Sequence, residues 1–286
     1  MSLNFNSIEA MGVINITPNS FSDGGELSSL TETTLKINSL LNKGCHFLDV
    51  GAESTAPFNS EISEREEIAR FDKFLVPLFS NTDLWKSTIL SVDTYRLNTF
   101  KYIYAKFPGE NIVWNDVSGI FDDSIASFLI DDCPNADYVF CHNNSPTREL
   151  TSGHMDYAKS DADTDIAKEL EYFFSKGIKL FKKHGIENRI ILDPCFGFSK
   201  TLKQNLILLG KVPDLMKKFP SFPFLIGVSR KSFFKYLGGD ILLDREIYHL
   251  AFLRQLIETT SAQRTIVRLH DPVVLELAKR LVPLPK

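Results

Sequence analysis

The chain has 286 residues, 43% of them hydrophobic, with a formal net charge of −4. An acidic balance without a basic tract excludes the electrostatic footprint of a nucleic-acid binder. No apolar run approaches the roughly 20 residues that span a bilayer. MSLNFNSIEA lacks the basic and apolar regions of a secretory signal, so a cytoplasmic protein is expected.

Eight short apolar runs, read as strands, follow one another over residues 10–15, 47–50, 89–92, 112–115, 138–141, 190–192, 224–228 and 265–269. They close on Asn15, Asp49, Asp93, Asn115, His142, Asp193, Ser229 and Arg268. A parallel strand is buried on both faces, so its body is apolar and only its tip turns polar. Eight polar tips in step point to one face on which chemistry gathers. Helical patterns fill the intervals at 30–41, 63–79, 165–183 and 244–259, the second starting at a Ser63–Glu66 capping box. Gly177, a weak helix former, lies inside the third of these patterns. The alternation predicts an α/β fold, a single-domain (β/α)8 TIM barrel over residues 1–286. An open doubly wound sheet is the rival, but neither GxGxxG nor a Walker loop occurs.

Cys45, Cys133, Cys141 and Cys195 form no CxxC pair, so neither a structural zinc site nor a disulfide is expected. The loop after the first strand, 15–25, is dense in turn formers and alone reads as a polar surface turn. Asp49 and Glu53 bracket the second loop as acid–base candidates. Asp93, Asn115 and Asp193 crowd one rim and need a cation or a donor-rich ligand between them. A flat heterocycle with an amidine-like N–H edge suits such a carboxylate, although each aspartate alone also reads as a helix cap. Arg268 and His270 alternate by two and point the same way, which suits a phosphate or pyrophosphate, or salt bridges to neighbouring carboxylates.

NITPNSFSDGG, DVGAESTAP, SVDT, NDVSG, DPCFGFSK, GVSRKS and VRLHD, in this order over nearly the whole chain, resemble the dihydropteroate synthase family. The resemblance implies a TIM barrel, usually dimeric. It also implies condensation of 6-hydroxymethyl-7,8-dihydropterin diphosphate with p-aminobenzoate to 7,8-dihydropteroate and pyrophosphate, with Mg2+ accompanying the diphosphate. By the same resemblance Asp93, Asn115, Asp193 and Lys231 line the pterin pocket, and Asn15 holds magnesium or the diphosphate. Arg268 and His270 grip the diphosphate, while Phe21, Thr55, Pro57, Phe198 and Ser232 shape the aminobenzoate site. Asp23 and Asp49 stabilise charge on the pterin methylene. Four positions depart from the family pattern: Ala56 replaces an arginine, Asn19 an aspartate, and Cys195 and Ser199 glycines. The missing arginine implies a slower aminobenzoate step, or a diverged paralogue that binds the pterin diphosphate without turning it over.

Overall fold

The computed structural model describes residues 8–17, 29–53, 61–160, 165–238, 241–260 and 263–282. Eight parallel strands close a barrel in chain order. They are β1 (Ile8–Asn15), β2 (Phe47–Gly51), β3 (Ile89–Asp93), β4 (Ile112–Asp116), β5 (Ala136–Cys141), β6 (Ile190–Asp193), β7 (Phe224–Ile226) and β8 (Thr265–Leu269). Around them run α1 (Leu30–Asn42), α2 (Glu64–Phe74), the one-turn α3 (Thr82–Lys86), α4 (Leu97–Lys106) and α5 (Asp123–Asp131). The ring is completed by α6 (Ile166–Lys183), α7 (Leu202–Lys218), α8 (Leu242–Thr260) and α9 (Val273–Leu281). No helix among the described residues is long and apolar enough to cross a membrane.

Met11, Phe47, Ile89, Val113, Val139, Ile191, Leu225 and Ile266, one from each strand, form a separate buried cluster. This cluster is the plug of the barrel. The alternate strand residues, such as Leu48, Leu90, Trp114, Tyr138 and Phe224, join the larger core beneath the helices. Side chains alternate along a strand, so two residues beyond the plug the interior is lined again. That second level is Val13, Asp49, Ser91, Asn115, Cys141, Asp193, Gly227 and Arg268. The floor of the site is therefore apolar and the level above it polar.

Three expectations are corrected. The helix expected over 63–79 ends at Phe74, and a 3-10 turn, Val76–Ser80, follows. Pro77 lacks an N–H, and its ring opposes the carbonyl four residues back. The seventh strand, expected to reach 228, stops at Ile226. Cys141 and Cys195, expected as separate thiols, are joined as a disulfide with Cα atoms 5.5 Å apart. The cause is register: Cys141 pairs with Asp193, which places Cys195 just beyond the neighbouring strand tip. Gly177 lies inside α6, as expected, at the point where the helix meets the Phe140 ring, with no room for a Cβ.

Candidate active site

Asp49 stands at the middle of the polar level and is fully buried. Its Oδ1 accepts from Ser91 Oγ at 2.6 Å and from Asn115 Nδ2 at 3.0 Å. Its Oδ2 accepts from Arg268 Nε at 2.6 Å. Arg268 Nη2 donates at 2.8 Å to Asp93, one level higher on β3. Burial and the adjacent Asp49 carboxylate raise the Asp93 pKa, while Arg268 opposes the rise. Arg268 thus makes the salt bridges that the sequence left as one of its two options.

Asn115 spends its amide on Asp49, and its buried Oδ1 has no hydrogen-bond partner among the described residues. A buried carbonyl oxygen left unpaired is costly, so this acceptor is suited to a ligand N–H. Asp193, 7% exposed at the tip of β6, accepts the Cys195 N–H through Oδ1 at 2.6 Å. Burial lifts its pKa to about 6, against the pull of that N–H and of Lys200, Lys231 and Arg268. Lys231 follows β7; its backbone N–H donates to the Val228 carbonyl, while its ammonium makes no hydrogen bond or ion pair among the described residues. Its Nζ lies 5.1 Å from the centre of the Phe198 ring. Burial, with Arg268 nearby, lowers its pKa to about 8. Gly197, at φ +84°, lets the backbone pass close to this ammonium: a Cβ there would lie 3.3 Å from Nζ.

The β6 loop that carries Asp193 and Phe198 is held from below and above. Lys200, almost wholly buried, donates from Nζ to the carbonyls of His142, Cys195 and Phe198, each at 3.0 Å. His154, in the 3-10 segment Arg148–Tyr157, stacks on Phe198 at 4.3 Å. On the opposite rim His270 Nδ1 lies 3.0 Å from Ser229 Oγ. Burial, with Arg268, Arg230, Lys231 and Lys36 around it, lowers the His270 pKa to about 3, so the imidazole is neutral at pH 7. Asn15 is exposed at the end of β1 and Ser232 just after Lys231.

The barrel thus gathers Asp49, Asp93, Asn115, Asp193, Lys231 and Arg268 at one mouth, with Asn15, His270, Phe198 and Ser232 on its rim. Phe21, Asp23, Thr55 and Pro57 lie outside the described residues. Glu53 is not a free acid–base group. Its carboxylate accepts from Arg96 Nη1 at 2.5 Å and from the Ile62 N–H at 3.2 Å, so it fastens a loop. Ser91, Lys200, His154 and the Cys141–Cys195 pair were not singled out from sequence. Ser91 was reachable by stepping two residues from a plug residue, Ile89. The other three hold partners far away in the chain.

Among the described residues one group of three carboxylate, imidazole or thiol side chains comes close enough to hold a metal: Cys141, Asp193 and Cys195. Two sulfurs do not suit magnesium. The carboxamide oxygen of Asn15 is a hard ligand, and magnesium commonly takes one or two protein oxygens and completes its shell with phosphate and water. Asn15 therefore fits that ion only beside a bound diphosphate.

Comparison with known proteins gives this mouth a context. A family model described as pterin binding enzyme matches residues 11–270. The chain is 34% identical over 228 residues to a dihydropteroate synthase of Synechocystis, covering 78% of this chain and 72% of that one. It is 34% identical over 277 residues to a folic acid synthesis protein of Schizosaccharomyces pombe, covering 93% of this chain and 34% of that longer protein. Among solved structures, a dihydropteroate synthase of Clostridium difficile, crystallised in the presence of pteroic acid, superposes with a TM-score of 0.75. It is 26% identical, and the match covers 98% of this chain and 97% of the other.

Proposed function

The chain belongs to the pterin binding enzyme family, and from that premise we propose that it catalyses the dihydropteroate synthase reaction. It transfers the pterinylmethyl group of 6-hydroxymethyl-7,8-dihydropterin diphosphate to p-aminobenzoate and releases pyrophosphate. The observation that carries this reading is a set of complementary groups on one wall. An acceptor carboxylate on Asp193, an unpaired buried acceptor on Asn115 and an unpaired donor on Lys231 face one mouth. A pterin edge presents N–H donors to the first two and a ring carbonyl to the third.

Chemistry follows from position and charge. The methylene C–O bond breaks, and its electron pair leaves with pyrophosphate. The arylamine nitrogen forms the new C–N bond and then loses a proton. That amine is neutral at pH 7, so no strong protein base is needed, and catalysis rests on positioning and charge stabilisation. Asp49 and Asp93 favour positive charge developing on the methylene. Arg268, paired with both, offsets the repulsion between these two carboxylates. His270 meets the diphosphate first as a neutral hydrogen-bond donor and gains charge as the anion raises its pKa. Magnesium, held by Asn15 and the diphosphate, would help neutralise the leaving group. Phe198, held by the stacked His154 ring and by the Lys231 ammonium, shapes the aminobenzoate site beside Ser232. We place the enzyme in the cytoplasm as a homodimer.

Pyrophosphate release decides the reading. Release that requires both p-aminobenzoate and the pterin diphosphate supports a synthase. Binding of the pterin diphosphate with no release would make the chain a pterin-binding paralogue. The aminobenzoate step is expected to quicken in an Ala56→Arg variant, read as kcat/KM for p-aminobenzoate; an unchanged value would clear Ala56 of slowing it.

A further inference from the structure

We propose that Cys141 and Cys195 form a reversible thiol–disulfide site in the wall of the pterin pocket, closed by an external disulfide and opened by a dithiol, and that closing it strengthens pterin binding. The proposal rests on the pterin reading of this site.

The geometry is built into the barrel. Cys141 closes β5, opposite Asp193 on β6, and the 5.5 Å between the Cα atoms of Cys141 and Cys195 is an ordinary disulfide separation. Both sulfurs and an Asp193 carboxylate oxygen lie within 4.8 Å of one another. Cys195 holds φ +54°, a left-handed conformation that disfavours any side chain. A non-glycine residue there costs on the order of 1 kcal/mol, so its side chain needs a compensating role. The bond to Cys141 supplies one. Ser199, four residues on, repeats the pattern at φ +46°. Its Oγ lies 2.6 Å from Asn143 Oδ1 and 2.8 Å from the His154 carbonyl. One tether of the β6 loop is thus a hydrogen bond that no reductant touches. The other is covalent and reducible.

The covalent tether is the one next to the ligand. The Cys195 N–H donates to Asp193 Oδ1 at 2.6 Å, so the place of Cys195 sets the aim of the carboxylate. Two thiols stand farther apart than two bonded sulfurs, and Tyr95, Val117 and Phe198 pack around the pair. Reduction therefore turns Cys195 about the carbonyl that Lys200 still holds, and moves the N–H that aims Asp193, while Ser199 keeps the rest of the loop in place. The other cysteines do not compete. All four cysteines are buried, but Cys45 and Cys133 are free thiols with no disulfide partner, so the Cys141–Cys195 pair is the one set to cycle. Where thiols are kept reduced, a disulfide that does form is usually catalytic or redox-sensing.

The exchange balances. A thiolate of the pair attacks the external disulfide, forms a mixed disulfide and expels one thiolate of the oxidant. The second cysteine attacks the mixed disulfide, closes Cys141–Cys195 and expels the other thiolate. Two electrons pass to the oxidant, and the two thiol protons go to the departing thiolates or to water.

The full chain is first treated with glutathione disulfide or with dithiothreitol, then denatured and alkylated. Of the four cysteines, two should take label after oxidation and all four after reduction. Calorimetry with 6-hydroxymethylpterin monophosphate, an oxidised pterin, reads affinity without turnover. The reduced protein is expected to bind about fivefold more weakly, as suits loss of preorganisation. Cys195→Gly, which relieves the left-handed strain and so is not at risk of failing to fold, should bind with one affinity in either condition. Four labels after oxidation, or equal affinities of the two forms, overturn the proposal. Two labels after oxidation with no binding in either form overturn the pterin reading itself.

Discussion

Asp193 and Lys231 place their ionisations on either side of neutrality, near 6 and near 8. A pterin edge needs the first as a carboxylate and the second as an ammonium. Protonation of Asp193 removes the acceptor as pH falls through about 6, and deprotonation of Lys231 removes charge as pH rises through about 8. Pterin affinity in the free enzyme is therefore expected to be highest between these values and to fall on both sides, with Asp93, whose pKa is also raised, adding to the acid limb, read by calorimetry across the range. Lys231→Met should lower affinity by about tenfold and abolish the alkaline limb alone. An alkaline limb that survives this change would belong to another group. Asn115→Leu offers a separate test, because it keeps the shape and removes both the unpaired acceptor and the donor to Asp49. Pterin affinity should drop by about tenfold while the fold persists. Unchanged affinity would take Asn115 out of the pocket.

Strands and helices show why part of this architecture was legible and part was not. Each barrel strand is apolar on both faces and turns polar at its tip, so the eight strands stand out in the chain with their order. The polar tips Asp49, Asp93, Asn115 and Asp193 were legible for the same reason. Partners fixed by register were not. Cys141 and Cys195 are 54 residues apart, and their meeting follows from the pairing of Cys141 with Asp193. Lys200 reads as a surface lysine because its burial depends on the fold of its own loop, whose Cys195 and Phe198 carbonyls it caps, and on the His142 carbonyl that only the closed barrel brings near. Gly177 was legible as a helix position but its packing against the Phe140 ring was not, because that contact joins α6 to a distant strand. Alanine there should gain about 1 kcal/mol in helix propensity but lose more against the Phe140 ring, for a net loss of about 1–2 kcal/mol in denaturant unfolding. Adding Phe140→Leu should recover part of that loss. Strictly additive effects in the double mutant would show that the two side chains do not meet.

At the scale of the molecule, the mouth occupies one end of the barrel, and the outer helices are free for other contacts. Helices α8 and α9 pack against each other. Each also exposes apolar residues at helical spacing: Leu243 and Ile247 on α8, and Val273, Leu277 and Leu281 on α9. Leu243 is 64% exposed and Leu281 52%, more than an isolated helix face facing water would favour. Spacings of four residues place each set along one stripe of its helix. Two apolar stripes on adjoining helices form the kind of patch that protein association covers. A homodimer through α8 and α9 would cover them and leave both mouths open, since the site residues lie at the strand tips and the loops that follow. Sedimentation equilibrium should therefore give twice the chain mass for the native protein. The pair Ile247→Glu and Leu277→Glu should shift it to the monomer with the circular dichroism spectrum retained. Because these side chains are exposed in the single chain, the two charges threaten association rather than the fold. A native monomer, or a dimer indifferent to both charges, would move the interface elsewhere.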